Sequence, residues 1–240
     1  MKKQKGSWRI ERIFSHAVAL QQSGRLRNTI YCIRKYIYIL NQDHTILIRF
    51  VSRDAESLFK NPISFNANDY DSSDFEERNG RIYFRKEVGD FVREKRCKTP
   101  QFTPLKIHRL FKQYLLKFNK SNKVIWNESF KSCLDEDLSH IEFSGKGGKI
   151  ITKQRNIYTG SVITILEKDK KRGFDIGSNK IKNFRPIGIR TNDFMALFQF
   201  VSAIIFYFSD KKVTWFESND HSLPFKGLLS QCIYDEIGKD

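Results

Sequence analysis

The sequence predicts an α+β protein of two domains, and three observations carry that reading. Its 240 residues, 40% of them hydrophobic, are enough for two cores of ordinary domain size. Segments of helical period alternate with segments of period two along the chain. A helix beginning near residue 13 and another near residue 128 each precede several strands, and this spacing of 115 residues points to a duplicated unit. The boundaries that follow are 1–104 for the first domain, 105–127 for a helix and connector, and 128–240 for the second.

Ile13, Phe14, Ala17, Val18 and Leu20 recur at helical spacing before the stop at Ser23-Gly24. Thr29 to Leu40 is rich in Ile and Tyr with its alternation broken near Arg34-Lys35, which predicts two strands and a tight turn. Asn41-Gln-Asp turns the chain into a further strand through Ile46, Ile48 and Phe50. Residues 61–81 are acidic and poor in apolar positions and read as a loop, followed by a strand at Arg81-Ile-Tyr-Phe-Arg and a linker bracketed by Pro100 and Pro104.

The most periodic segment is Leu105 to Phe118, with Ile107, Leu110, Phe111, Tyr114, Leu115 and Phe118 on one stripe. Lys106, Arg109, Gln113, Lys117 and, just past its end, Lys120 lie on the other, with no acid on the helix to pair with them. A second helix is predicted over Glu128 to Ser139, then a hairpin turning at Gly145-Lys-Gly-Gly, a strand from Tyr158 to Leu166, and a charged turn at Lys168 to Arg172. Thr191 is read as the N-cap of a helix burying Phe194, Leu197, Phe198 and Val201. Ile204 to Phe208 and Val213 to Phe216 form a last hairpin.

Forty-three Lys and Arg against 27 Asp and Glu give a net charge of +16, a field that attracts polyanions. Nucleic acid is the natural partner class, set against a basic composition that only keeps the protein soluble. Cys32, Cys97, Cys133 and Cys232 are scattered without a C-x-x-C pair, so neither a zinc site nor a disulfide framework is expected, and a reducing compartment fits. The five histidines have no metal-ligand spacing, and no cofactor or metal is expected. Gly145-Lys-Gly-Gly-Lys149 lacks phosphate-loop spacing. Asp169-Lys170-Lys171 reads as a solvated turn rather than a nuclease centre, and Lys168 to Arg172 also matches a permissive nuclear-localisation pattern. Tyr31, Tyr36 and Tyr38 beside Arg34 and Lys35 are either core or a stacking platform for bases. The apolar stretch Phe194 to Phe208 is interrupted by Gln199 and Ser202 and falls short of a bilayer span, so no membrane partner is expected.

Asp193, Phe194, Ala196, Leu197 and Phe200, followed by Ile204 to Asp210 and Val213 to Glu217, resemble the closing helix and strands of a PCNA-like DNA sliding clamp. Phe14, Ala17, Val18 and Leu20, then Ile30 to Leu40, Asn41, His44-Thr45, Ile48, Phe50 and Phe59, resemble the opening helix and hairpin of that superfamily. The pattern is most similar to the Rad-nine subunit of the DNA-damage checkpoint clamp. The resemblance implies two clamp-like domains, each with β-sheets and helices on one side, in a non-enzymatic nuclear subunit that closes a ring with two other clamp subunits. It further implies contact with duplex DNA through phosphates and tethering of a clamp loader and repair or checkpoint proteins. Lys106, Arg109, Lys117 and Lys120 are the expected DNA-binding residues, with Arg12, Arg25 and Arg27 near the first helix as secondary candidates. Val162 to Leu166 and Ile82 to Phe84 are the expected edge strands. The alternatives are a small nucleic-acid-processing enzyme, which would show three or more acids converging on a cleft, and a sequence-tolerant binding protein acting alone.

Overall fold

α1 (Ile10–Ala19) buries Ile10, Ile13, Phe14 and Ala17, which recur at i, i+3, i+4 and i+7 and so form one stripe of a helix. The computed structural model describes residues 9–19, 28–59, 61–67, 75–78, 81–84, 102–117, 122–135, 137–155, 162–167, 174–176, 181–209, 213–220 and 224–231. The chain divides into unit 1, Met1–Phe118 with His221–Lys226, and unit 2, Asn119–Asp220 with Gly227–Asp240. The division at Phe118 falls inside the stretch 105–127 read as helix and connector.

In unit 1, β1 (Thr29–Ile33), β2 (Tyr36–Leu40) and β3 (Ile46–Val51) form an antiparallel meander. The turn at Arg34-Lys35 is as expected, with Arg34 at φ 51°, the left-handed backbone that two-residue hairpin turns require. The next turn is closed by Asn41, whose Oδ1 accepts from the Ile46 N–H at 2.7 Å. α2 (Arg53–Leu58) is capped by Ser52. β4 (Ile63–Asn66) pairs with β1, giving the order β3-β2-β1-β4, and β5 (Phe75–Arg78) and β6 (Arg81–Phe84) form a separate hairpin. The stretch 61–81 is therefore not all loop: Ile63 and Phe65 alternate with Ser64 and Asn66 over four residues, too few to stand out in an acidic surround. α3 (Pro104–Leu116) begins at the cap Thr103, whose hydroxyl accepts from the Lys106 N–H at 3.2 Å. Pro104 opens this helix rather than closing a linker, since the first turn needs no N–H from it. Pro100 lies outside the described residues.

Register fixes the two faces of this sheet, because residues directly opposite one another in an antiparallel pair point the same way. Ile30, Ile39 and Ile48 are in line, with Phe65 opposite Ile30, while Tyr31, Tyr38 and Arg49 are in line on the other face. α1 covers the first face: Phe14 meets Phe65 edge-on at 5.1 Å, and Asn28 donates to the Ala17 carbonyl. α3 covers the second, with Phe111 meeting Tyr38 at 5.6 Å. These two helices of unit 1 therefore lie on opposite sides of their sheet.

Unit 2 has two antiparallel sheets. One contains β7 (Lys123–Asn127), β11 (Phe174–Ile176), β13 (Ala203–Tyr207) and β14 (Val213–Ser218) in the order β11-β7-β13-β14. β15 (Phe225–Ser230) follows β14; at Gly227 a Cβ would come within 2.1 Å of the Phe216 ring. The other runs β10-β9-β8-β12, from β8 (His140–Lys146), β9 (Lys149–Arg155), β10 (Val162–Glu167) and β12 (Phe184–Arg190). Gly147 and Gly148, at φ 60° and 81°, make the β8–β9 turn, the primed geometry a two-residue hairpin favours. A 3-10 helix at Glu128–Cys133 and α4 (Thr191–Ala196), which continues as a 3-10 turn through Gln199, lie on the same face of the first sheet. Phe130 meets Trp126 at 4.2 Å and Phe194 meets Phe206 at 5.1 Å. Phe143 of β8 closes this aromatic core, 5.5 Å from Trp126 and 5.8 Å from Phe194.

Two expected features of unit 2 differ. The helix over Glu128 to Ser139 stops at Cys133 because the Gln154 side chain engages both the N–H of Asp135, at 2.7 Å, and its carbonyl, at 3.0 Å. Those groups are thereby withdrawn from any continuing helix. Thr191 is the first helical residue rather than the cap, and its hydroxyl donates to the Leu138 carbonyl at 2.5 Å. Among the described elements a helical turn leading into three consecutive strands thus occurs four times: α1 with β1 to β3, α2 with β4 to β6, the 3-10 helix with β8 to β10, and α4 with β13 to β15. α3 stands outside this repeat.

Candidate nucleic-acid interface

α3 is seated by a small mixed cluster rather than by a broad apolar stripe. Ile107 and Phe111 are buried, Leu110 and Leu115 are half-buried, and Tyr114 is 42% exposed. The buried face is thus turned toward His108, away from the side of the helix that the apolar periodicity favours. The cause lies in the sheet: His108 Nδ1 is 2.6 Å from the Tyr38 hydroxyl, and the Arg49 guanidinium sits over Phe111 at 4.7 Å and over Tyr36 at 5.2 Å. Burial pushes the Tyr38 hydroxyl well above the usual tyrosine range. Burial first, and then Lys112, Arg49 and Arg34, lower the His108 pKa. Tyr38 therefore stays protonated and donates, and neutral His108 accepts.

With that face buried, Lys106, Arg109, Gln113 and Lys117 project from the opposite side and are exposed. Lys106 also lies over the Phe102 ring at 5.0 Å. Lys112 is exposed on the same helix and was not among the expected residues; its position three residues after Arg109 was the available signal. Lys120, Arg25 and Arg27 lie outside the described residues. Arg12 is exposed on α1, which covers the other face of the sheet. The described cations therefore do not converge: Lys106, Arg109 and Lys117 occupy one side of unit 1 and Arg12 the other.

Of the tyrosines read as either core or stacking platform, Tyr31 and Tyr38 belong to the core and Tyr36 is half-buried. Tyr31 is 1% exposed and Tyr38 0%, while Tyr36 is held under Arg49 and Lys35. β10 is the outer strand of its sheet, with a bulge between Thr164 and Leu166, and β6 pairs only with β5 among the described strands. Among the described residues no group of three or more His, Cys, Asp or Glu is placed to hold a metal ion. No described helix is long and apolar enough to cross a membrane.

No protein-family model matches the sequence, and no curated protein does so either. Solved structures match by shape. The proliferating cellular nuclear antigen of Entamoeba histolytica superposes with a TM-score of 0.52 at 10% identity, covering 92% of this chain and 96% of its own. The fold is that of a DNA sliding clamp. The Helicobacter pylori beta clamp gives the same clamp fold with a TM-score of 0.50 at 10% identity, over 95% of this chain and 65% of the bacterial one. The α+β class and the two clamp-like domains expected from the sequence are thus found.

Proposed function

We propose that this protein is a non-enzymatic clamp subunit that closes a ring around duplex DNA with two other subunits and holds partner proteins there. The observation that carries this reading is the clamp fold itself, matched over 92% of the chain. A net charge of +16 supports it, because a ring that slides needs phosphate attraction without base readout. We assign the duplex to the side of α1, the helix whose residues resemble the opening helix of the clamp superfamily. Arg12, exposed on α1, would supply a phosphate contact there; Arg25 and Arg27, outside the described residues, are candidates by their nearness to it in sequence. A duplex on that side is separated from Lys106, Arg109 and Lys117 by the sheet.

The checkpoint type, with two different chains as ring partners, a nuclear location, and a clamp loader and repair or checkpoint proteins as clients, is the finer form of the proposal. It rests on the resemblance to the Rad-nine subunit. β10 and β6 offer the strand edges for ring closure, since an unpaired edge presents N–H and C=O groups to a neighbour. The test is co-purification with candidate clamp subunits, followed by sizing and imaging. A three-subunit ring is the expected result. A chain that stays monomeric with every such subunit contradicts the reading.

A further inference from the structure

The large hydrophobic side chains that stand exposed among the described residues are Leu105, Tyr114 and Leu116, at 50%, 42% and 86%, and all three are on α3. They are interleaved with cations in a definite order. Leu105, Arg109, Lys112 and Leu116 fall at i, i+4, i+7 and i+11, so they form one continuous row along the helix, apolar at both ends and positive in the middle. The 13-residue helix contains no Asp or Glu. We propose that this row is a docking surface for a partner protein, and that its occupant is an acidic peptide segment with an apolar residue on each side of the acids.

Two arguments select a peptide over nucleic acid. Phosphate contacts need cations and polar donors, and leucines at 50% and 86% exposure add nothing to them. Protein interfaces, in contrast, combine apolar anchors with arginine. The row also has a length. Eleven residues of helix rise about 16 Å, which an extended peptide spans in about five residues at roughly 3.3 Å each. Because side chains of an extended chain alternate between its two faces, a matching segment carries apolar residues six apart, the nearest even spacing that spans the row, with acids between them. The inference concerns the surface of unit 1 alone, so it stands or falls separately from ring formation.

The experiment uses the full chain and a fluorescein-labelled peptide, Gly-Ser-Leu-Asp-Glu-Asp-Glu-Asp-Leu-Ser-Gly, in fluorescence anisotropy. Controls are a version with Asn and Gln in place of the acids, and a 20-base-pair duplex. Arg109→Glu with Lys112→Glu is expected to weaken peptide binding at least tenfold. Leu105→Ser with Leu116→Ser is expected to weaken it at least threefold while changing duplex affinity less than twofold. All four positions are exposed, and an unchanged thermal transition checks that each variant folds. Failure of the folded wild-type chain to bind the acidic peptide overturns the proposal. So does a peptide affinity indifferent to the leucine pair, and if the charge pair then abolishes duplex binding, the row is a nucleic-acid surface instead.

Discussion

In unit 2 the two helical segments lie on one face of their sheet and share one aromatic core, whereas in unit 1 α1 and α3 lie on opposite faces. Phe130 and Phe194 both meet Trp126, at 4.2 and 5.9 Å. Phe14 and Phe111 instead meet Phe65 and Tyr38, which point away from each other across the sheet. The difference separates two kinds of helix. α1, α2, the 3-10 helix and α4 each lead into three described strands. α3, which leads into β7 alone, is laid on its sheet and held by Ile107, Phe111 and the Tyr38–His108–Arg49 cluster, with most of its circumference left to solvent.

If that distinction is right, deleting a ring should have different consequences in the two units. Phe194→Ala removes a side chain in contact with Trp126, Phe130, Phe143, Phe198 and Phe206, and a global loss of about 4 kcal/mol is expected in urea denaturation. Phe111→Ala should cost about 3 kcal/mol at most, and its effect should be local. In native-state amide exchange α3 should lose protection while β1 to β3 keep theirs. Equal global losses would show that α3 is part of the core.

A smaller effect is expected from pH. The pKa of His108 lies below its ordinary value of 6.5 in the folded chain, so the unfolded chain takes up the proton at the higher pH. Its contribution to seating α3 is complete above the ordinary value and is lost as the pH falls from there through the folded value. After correction for intrinsic rates, α3 amides should exchange faster relative to β2 at pH 5 than at pH 7.5, and His108→Gln should flatten that difference. His140 in unit 2 is also lowered, by burial and then Arg190, so the variant should keep some acid sensitivity outside α3. A difference that survives His108→Gln would point to another group.

The smallest effect is expected at the exposed stripe. Lys106→Glu with Lys117→Glu touches no buried contact of α3 and should change stability by no more than about 0.5 kcal/mol per site, measured by urea denaturation. A larger loss would mean that the stripe helps to hold the helix down.

Legibility followed the range of the interactions involved. The turns at Arg34-Lys35 and Gly147-Gly148 and the hairpin of β13 and β14 rest on neighbours in sequence and could be read there. β12 was missed because Pro186 and Gly188 interrupt it, and the structure accommodates them at a sheet edge with a register shift between Phe184 and Ile187. The early end of the helix after Cys133 depends on Gln154, 19 residues beyond Asp135. For α3 the period was visible but the orientation was not, because the groups that set it, Tyr38 and Arg49, come from strands far upstream; Tyr38 alone is 70 residues before His108. The candidate site was legible as a list of cations, and not as two surfaces on opposite sides of a sheet.

The clamp reading is tested most directly by topological retention. The chain, assembled with its ring partners and loaded onto a closed circular duplex, is washed at a salt concentration that strips phosphate-bound protein, and the circle is then cut once. A clamp stays on the closed circle and leaves when the ends are made free. Protein that washes off the intact circle, or that stays equally on circular and cut DNA, would contradict encirclement and leave a basic protein that binds phosphates from outside.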